Sequence, residues 1–78
     1  MEAVGVFREL QSLLRRALLS ETEVSRMSQL VIACDIRGAE TLCESWQKEQ
    51  PSERGFERLL VSIRKGGHLN ETYEKLSP

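Results

Sequence analysis

The sequence predicts an all-α fold, a compact antiparallel bundle of short helices. Three observations lead there. Apolar residues recur at three- and four-residue steps along most of the chain. Helix start and stop residues punctuate the intervals between those periodic segments. The one run with strand character, LVIACDI from Leu30 to Ile36, has no second strand to pair with, although β propensity alone would allow a buried strand there.

The first helix is expected from about Val4 to Leu19, with Phe7, Leu10, Leu14, Ala17 and Leu18 on one stripe that Leu13 widens. Ser20 followed by Glu23 fits a capping box, in which each side chain satisfies the other's end of the helix start. The second helix then turns Val24, Met27, Leu30, Val31 and Cys34 inward, and Arg37–Gly38 breaks it. A third, roughly Ala39 to Glu49, carries Ala39, Leu42, Cys43 and Trp46 on one face and Glu40, Glu44, Gln47 and Lys48 on the other.

Pro51 cannot continue that helix, and Ser52 is suited to cap the next. Phe56, Leu59, Leu60 and Ile63 form its apolar stripe. Arg64 and Lys65 sit in its last turn, where the helix dipole favours cations, and Gly66–Gly67 offers a left-handed stop. A helix so short is marginal alone in water, so its stripe must face other helices. A fifth helix of about two turns is expected after Asn70 as a cap, with Leu69, Tyr73 and Leu76 in register. Every connection is short, which folds neighbouring helices back on one another.

Seventy-eight residues make a single domain, 1–78, with no room for a second core. Hydrophobic residues supply 40% of the chain, and 11 basic residues nearly balance 12 acidic ones, for a formal net charge of −1. That balance weighs against a general nucleic-acid or acidic-membrane binder, which shows a basic excess. It leaves room for separate basic and acidic patches. Cys34 and Cys43 both fall on apolar helix faces and read as buried free thiols, not as a disulfide framework. Glu9, Arg15 and Arg16 interrupt the apolar run a signal peptide would need, and LVIAC is far too short to span a membrane. A reducing, cytoplasmic setting is therefore expected.

The search for chemistry finds no set of catalytic or ligating residues. One histidine and two cysteines nine positions apart offer no metal-ligand spacing. RKGGH, Arg64 to His68, closes a helix where a phosphate loop would open one, and it lacks the required spacing. Asn70-Glu71-Thr72 matches a glycosylation tripeptide, but without a secretory signal it reads as chance. The expectation is a non-enzyme with no cofactor.

Several segments resemble the death-fold superfamily, the six-helix Greek-key bundles of apoptotic and innate-immune signalling. Leu19-Ser20-Glu21-Thr22-Glu23 is similar to the "leucine, Ser/Thr, acidic" helix opening of caspase-recruitment domains, and Gly38-Ala39-Glu40-Thr41-Leu42 to the small-residue and leucine pattern of their third helix. Gly55-Phe56-Glu57-Arg58-Leu59-Leu60 through Gly66 resembles their aromatic-led helix ending in a basic residue and glycine, and Leu69 to Leu76 a closing leucine-bearing helix. Trp46, about ten residues before an aromatic-led helix, is also similar to death domains proper, which rank second. The charged Arg-x-Asp-Leu signature of death-effector domains is absent. Two features depart from the pattern: the first helix is short, and five helices are readable with the sixth short or missing.

The resemblance implies homotypic docking onto a partner with the same fold, with self-assembly as one form of it and no small-molecule substrate or membrane insertion. It also implies a positive face on the first and fourth helices, here Arg8, Arg15, Arg16, Arg54, Arg58 and Lys65. A negative face on the second and third would be Glu21, Glu23, Asp35, Glu40 and Glu44. Charge segregation of this kind sets register and steers association more than it supplies affinity. Two other readings stay open: a nucleic-acid-binding helical domain using Arg15, Arg16, Arg64 and Lys65, and a structural helical segment of a larger protein.

Overall fold

A computed structural model describes the backbone of residues 3–76 and the side chains of residues 4–65. Four helices follow in order: α1 (Ala3–Arg15), α2 (Glu21–Ile32), α3 (Ile36–Glu49) and α4 (Gly55–Leu76). α4 packs against both α1 and α3, and α2 packs against the same two, so the helices close into a ring around one core. α1 runs antiparallel to α4, because Gly5 approaches Ser62 while Leu13 approaches Gly55. α3 does the same, with Glu40 bonded to Arg64 and the Trp46 ring tilted against that of Phe56.

The core is apolar throughout. Val6, Leu10, Leu13, Leu19, Met27, Ala39, Cys43, Trp46, Phe56, Leu59, Leu60 and Ile63 are buried, and among the described residues no polar or charged side chain is buried beside them. Phe56 is its centre: its ring lies 6.1 Å from that of Trp46, and its carbonyl accepts a bond from Cys43 Sγ at 3.2 Å. The expected stripes of α3 and of the first part of α4 are the ones observed. In α1 the stripe is rotated, with Val6, Leu10 and Leu13 buried while Phe7 and Leu14 are half-buried at its edge. Among the described residues there is no strand, and Leu30–Ile32 belongs to α2.

The helix boundaries differ from the sequence-based expectation at four points, each for a local reason. α1 stops at Arg15, not Leu19, because Ala17 takes a left-handed conformation with φ of 59°. The Leu18 amide reaches back to the Leu13 carbonyl at 2.9 Å and the Ala17 amide to Leu14 at 3.0 Å, the two bonds of a Schellman turn. Ala17 is exposed there, not core. A left-handed alanine costs about 1–2 kcal/mol. The turn places Leu19 in the core, and burying a leucine is worth about 1.5–3 kcal/mol.

The same turn ends α2 at Cys34, also at φ 59°, with Asp35 bonded back to Leu30 and Cys34 to Val31. Cys34 is therefore exposed, whereas Cys43 is buried as expected, and both are free thiols. Gly38 does not break the chain but lies within α3, where its amide donates to the capping Asp35 carboxylate at 2.9 Å. A Cβ on Gly38 would lie 2.5 Å from Asp35 Oδ2, so a larger residue there would push that exposed carboxylate aside.

Ser52 does not cap α4. Residues 51–54 form a turn, and Glu53 Oε1 accepts from the Gly55 amide at 3.1 Å, so a carboxylate begins the helix three residues later. At its other end α4 runs through Gly66–Gly67 to Leu76 as one helix of 22 residues, so there are four helices and not five. Glycine permits a left-handed exit without imposing one. No proline follows closely enough to stop the helix, which loses only about 1 kcal/mol per glycine relative to alanine. The side chains of Leu69, Tyr73 and Leu76, and of His68 and Asn70, lie outside the described ones.

Candidate interaction surface

Each helix shows an exposed ridge, with residues spaced i, i+4, i+7 and i+11 opposite its core stripe, and α2 shows a second at Thr22, Arg26, Gln29 and Ala33. On α1 the ridge is Val4, Arg8, Gln11 and Arg15; on α2 it is Glu21, Ser25, Ser28 and Ile32. On α3 it is Arg37, Thr41, Glu44 and Lys48, and from Arg54, just before α4, it continues through Arg58, Val61 and Lys65. All of these are exposed except Ser28, half-buried with its hydroxyl bonded to the Val24 carbonyl.

Two ridges carry only basic charges, and both lie on neighbouring antiparallel helices. The contact of Arg16 with Glu53 sets the Arg15 end of α1 beside the Arg54 end of α4. Gly5 against Ser62 sets Val4 at the same end as Val61. The α1 and α4 ridges thus carry five cations and, at one end, two exposed valines, Val4 at 54% and Val61 at 49% exposure. Glu57 is the acidic neighbour on the exposed side of α4.

The acids expected to form the opposing face are arranged differently. Glu23 closes the capping box of α2: its Oε1 accepts from the Ser20 amide at 3.0 Å, and its own amide donates to Ser20 Oγ at 3.3 Å. Asp35 caps α3. Glu40 accepts from Arg64 Nε at 3.0 Å, across the α3–α4 contact. Glu21 and Glu44 remain exposed, but Glu44 lies on its ridge between Arg37 and Lys48, and Arg26 is exposed on α2. Carboxylates at helix N-termini are partly neutralised by the dipole they cap.

Arg16 is engaged in the same way. Its Nη2 donates to both carboxylate oxygens of Glu53 at 3.0 Å, tying the end of α1 to the start of α4. The Gly55 amide bond holds the Glu53 carboxyl below the usual carboxylate range; desolvation opposes it, and Arg16 adds to the lowering. Of the basic residues proposed from sequence, Arg8, Arg15, Arg54, Arg58 and Lys65 form the ridges, while Arg16 is a clamp. The exposed valines were missed by sequence reasoning. Their spacing from the arginines was readable, but nothing in the sequence says which apolar residues the core leaves out.

Among the described residues no three of His, Cys, Asp and Glu converge as metal ligands, and no helix is long and apolar enough to cross a membrane. No protein-family model, no curated protein and no solved structure matches this chain.

Proposed function

We propose that this chain is a protein–protein interaction module that docks onto another helical domain, in the manner of the death-fold, caspase-recruitment-like adaptors of apoptotic or inflammatory signalling. The observation that carries the reading is the adjacency of α1 and α4, the two helices that bear the exposed arginine ridges. Death-fold domains are six-helix bundles and four helices are described here, so the family assignment rests on the sequence resemblance and the docking role on the ridges. The nucleic-acid reading is less favoured, because Arg16 and Arg64, two of its four residues, are held in ion pairs on opposite sides of α4.

The test is a binding screen of the purified chain against isolated caspase-recruitment and death domains, read by size-exclusion chromatography at low and high salt. A partner that shifts the elution, and loses the shift with R54E/R58E while helical content stays intact, supports docking. A panel that leaves the chain unshifted at every salt concentration refutes the family-type partner.

A further inference from the structure

Independently of any docking role, we propose that α2 is a hinged flap: with Leu18 and Leu19 before it, it lifts off the bundle as one unit about Ala17 and Cys34, while α1, α3 and α4 stay packed. Among the described residues, these two are the non-glycine positions with left-handed backbone, both at φ 59°, and they bound the segment that carries α2. Both are exposed. A side chain in that conformation disfavours the closed turn by about fivefold to thirtyfold, so each hinge sheds strain when the flap opens.

Anchors stand just outside the hinges. Arg16, one residue before Ala17, donates to Glu53 and holds the end of α1 on α4. Asp35, one residue after Cys34, accepts from the Gly38 amide at the start of α3. Opening leaves both of these side-chain bonds in place. What it breaks are backbone bonds of the turns, among them Leu18 to Leu13 and Asp35 to Leu30.

Between the hinges α2 is held lightly. Met27 is its one buried residue, where α1 buries Val6, Leu10 and Leu13 and α3 buries Ala39, Cys43 and Trp46. Val24, Leu30 and Val31 are partly buried against the core. α2 packs on α1 and α3 less extensively than α4 does. Among the described residues, the side-chain bonds that tie distant segments join the α1 or α3 side to the α4 side: Arg16 to Glu53, Arg64 to Glu40, and Cys43 to the Phe56 carbonyl. Those of α2 are internal instead, Ser20 with Glu23 and Ser28 with Val24. They travel with the flap and favour the helix as it lifts. Few buried apolar contacts put a segment at the low-stability end of a fold. Opening uncovers the part of the core that Leu19 and Met27 close.

Native-state hydrogen exchange on the full chain, in a series of low urea concentrations, tests the flap. After correction for intrinsic rates, the amides from Val24 to Ile32 should share one opening equilibrium. They should exchange about tenfold or more faster than those of Ala39–Trp46 and Leu59–Ile63, with a smaller urea slope. A17G and C34G should each slow exchange in α2 by about twofold to fivefold, because glycine removes the strain that opening relieves and returns part of it as chain freedom. C43A, which removes the bond to the Phe56 carbonyl, should speed the α3 and α4 amides several-fold and leave the α2 amides unchanged.

Exchange in α2 that matches the core in rate and urea slope, or that C43A speeds in step with the core, shows that α2 opens with the whole fold and overturns the flap. Rates graded inward from the helix ends, with no shared value, mean fraying and overturn it equally. Indifference of α2 to both A17G and C34G removes the two turns as hinges, and the proposal with them.

Discussion

Replacing Ala17 by glycine should stabilise this protein, although alanine-to-glycine changes in helical proteins ordinarily do the reverse. Ala17 sits at φ 59°, in the residue position just past α1 that closes a Schellman turn. A side chain there costs about 1–2 kcal/mol through contact of Cβ with the backbone. Glycine removes that cost but returns about 0.5–1 kcal/mol through the greater freedom of the unfolded chain. The net gain is about 0.5–1 kcal/mol, and a domain of this size gains about 4–8 °C in Tm per kcal/mol. The same change inside a helix would lose about 1 kcal/mol, so the sign alone separates the two geometries.

The assay is thermal and urea unfolding followed at 222 nm, with an unchanged urea slope confirming that the same surface unfolds. Ala17→Val, which places a β-branched residue in the left-handed region, should destabilise by about 1 kcal/mol. Cys34→Gly should repeat the gain at the end of α2, and the two gains should add, since the turns share no partner. A fall of several degrees for A17G, or indifference to A17V, would refute the left-handed turn and the reasoning built on it.

Three further outcomes follow from the same geometry. Gly38→Ala should leave stability nearly unchanged, because the gain of about 1 kcal/mol for alanine over glycine inside a helix is offset by the cap of about 1 kcal/mol that its Cβ would displace at Asp35; in a D35A background the same change should stabilise by about 1 kcal/mol, which urea titration of all four forms would check. A thiol-specific reagent should titrate Cys34 at once and Cys43 only on unfolding. Burial pushes the Cys43 thiol from 9.0 up to about 12, so the folded form holds its proton longer; stability should therefore fall as pH rises between those values, and C43A should flatten that alkaline limb. For Glu53 the sign is opposite: its folded carboxyl titrates below 4.5, so its contribution is present above that pH and lost as pH falls through the folded value. Acid unfolding of E53Q should accordingly be shallower than that of the wild type, and identical acid limbs would remove Glu53 as a clamp.

Much of the bundle was legible in the chain because helix periodicity and caps are local. The Ser20–Glu23 box and the stripes of Ala39, Cys43 and Trp46 and of Phe56, Leu59, Leu60 and Ile63 each follow from residues within a few turns of one another. Helix ends were the weak point. The two left-handed stops fall on alanine and cysteine, residues that carry no stop signal, while Gly66–Gly67, which does carry one, lies inside α4. A left-handed residue is selected by what it delivers to the core, here Leu19 after Ala17, and that benefit is not encoded at the turn itself.

The candidate surface divides the same way. Sequence alone determined an all-helical chain, the core stripes of α3 and of the first part of α4, and arginines at four- and seven-residue steps on faces away from those stripes. Which helices are neighbours was decided by the tertiary structure. That adjacency turned Arg16 into a clamp on Glu53, 37 positions away, bound Glu40 to Arg64, and made neighbours of α1 and α4, the helices that bear the arginine ridges. The physical reason is range. Periodicity and capping act over one or two turns of backbone, whereas an ion pair or a shared surface depends on where distant turns meet in space, and packing of the whole core fixes that.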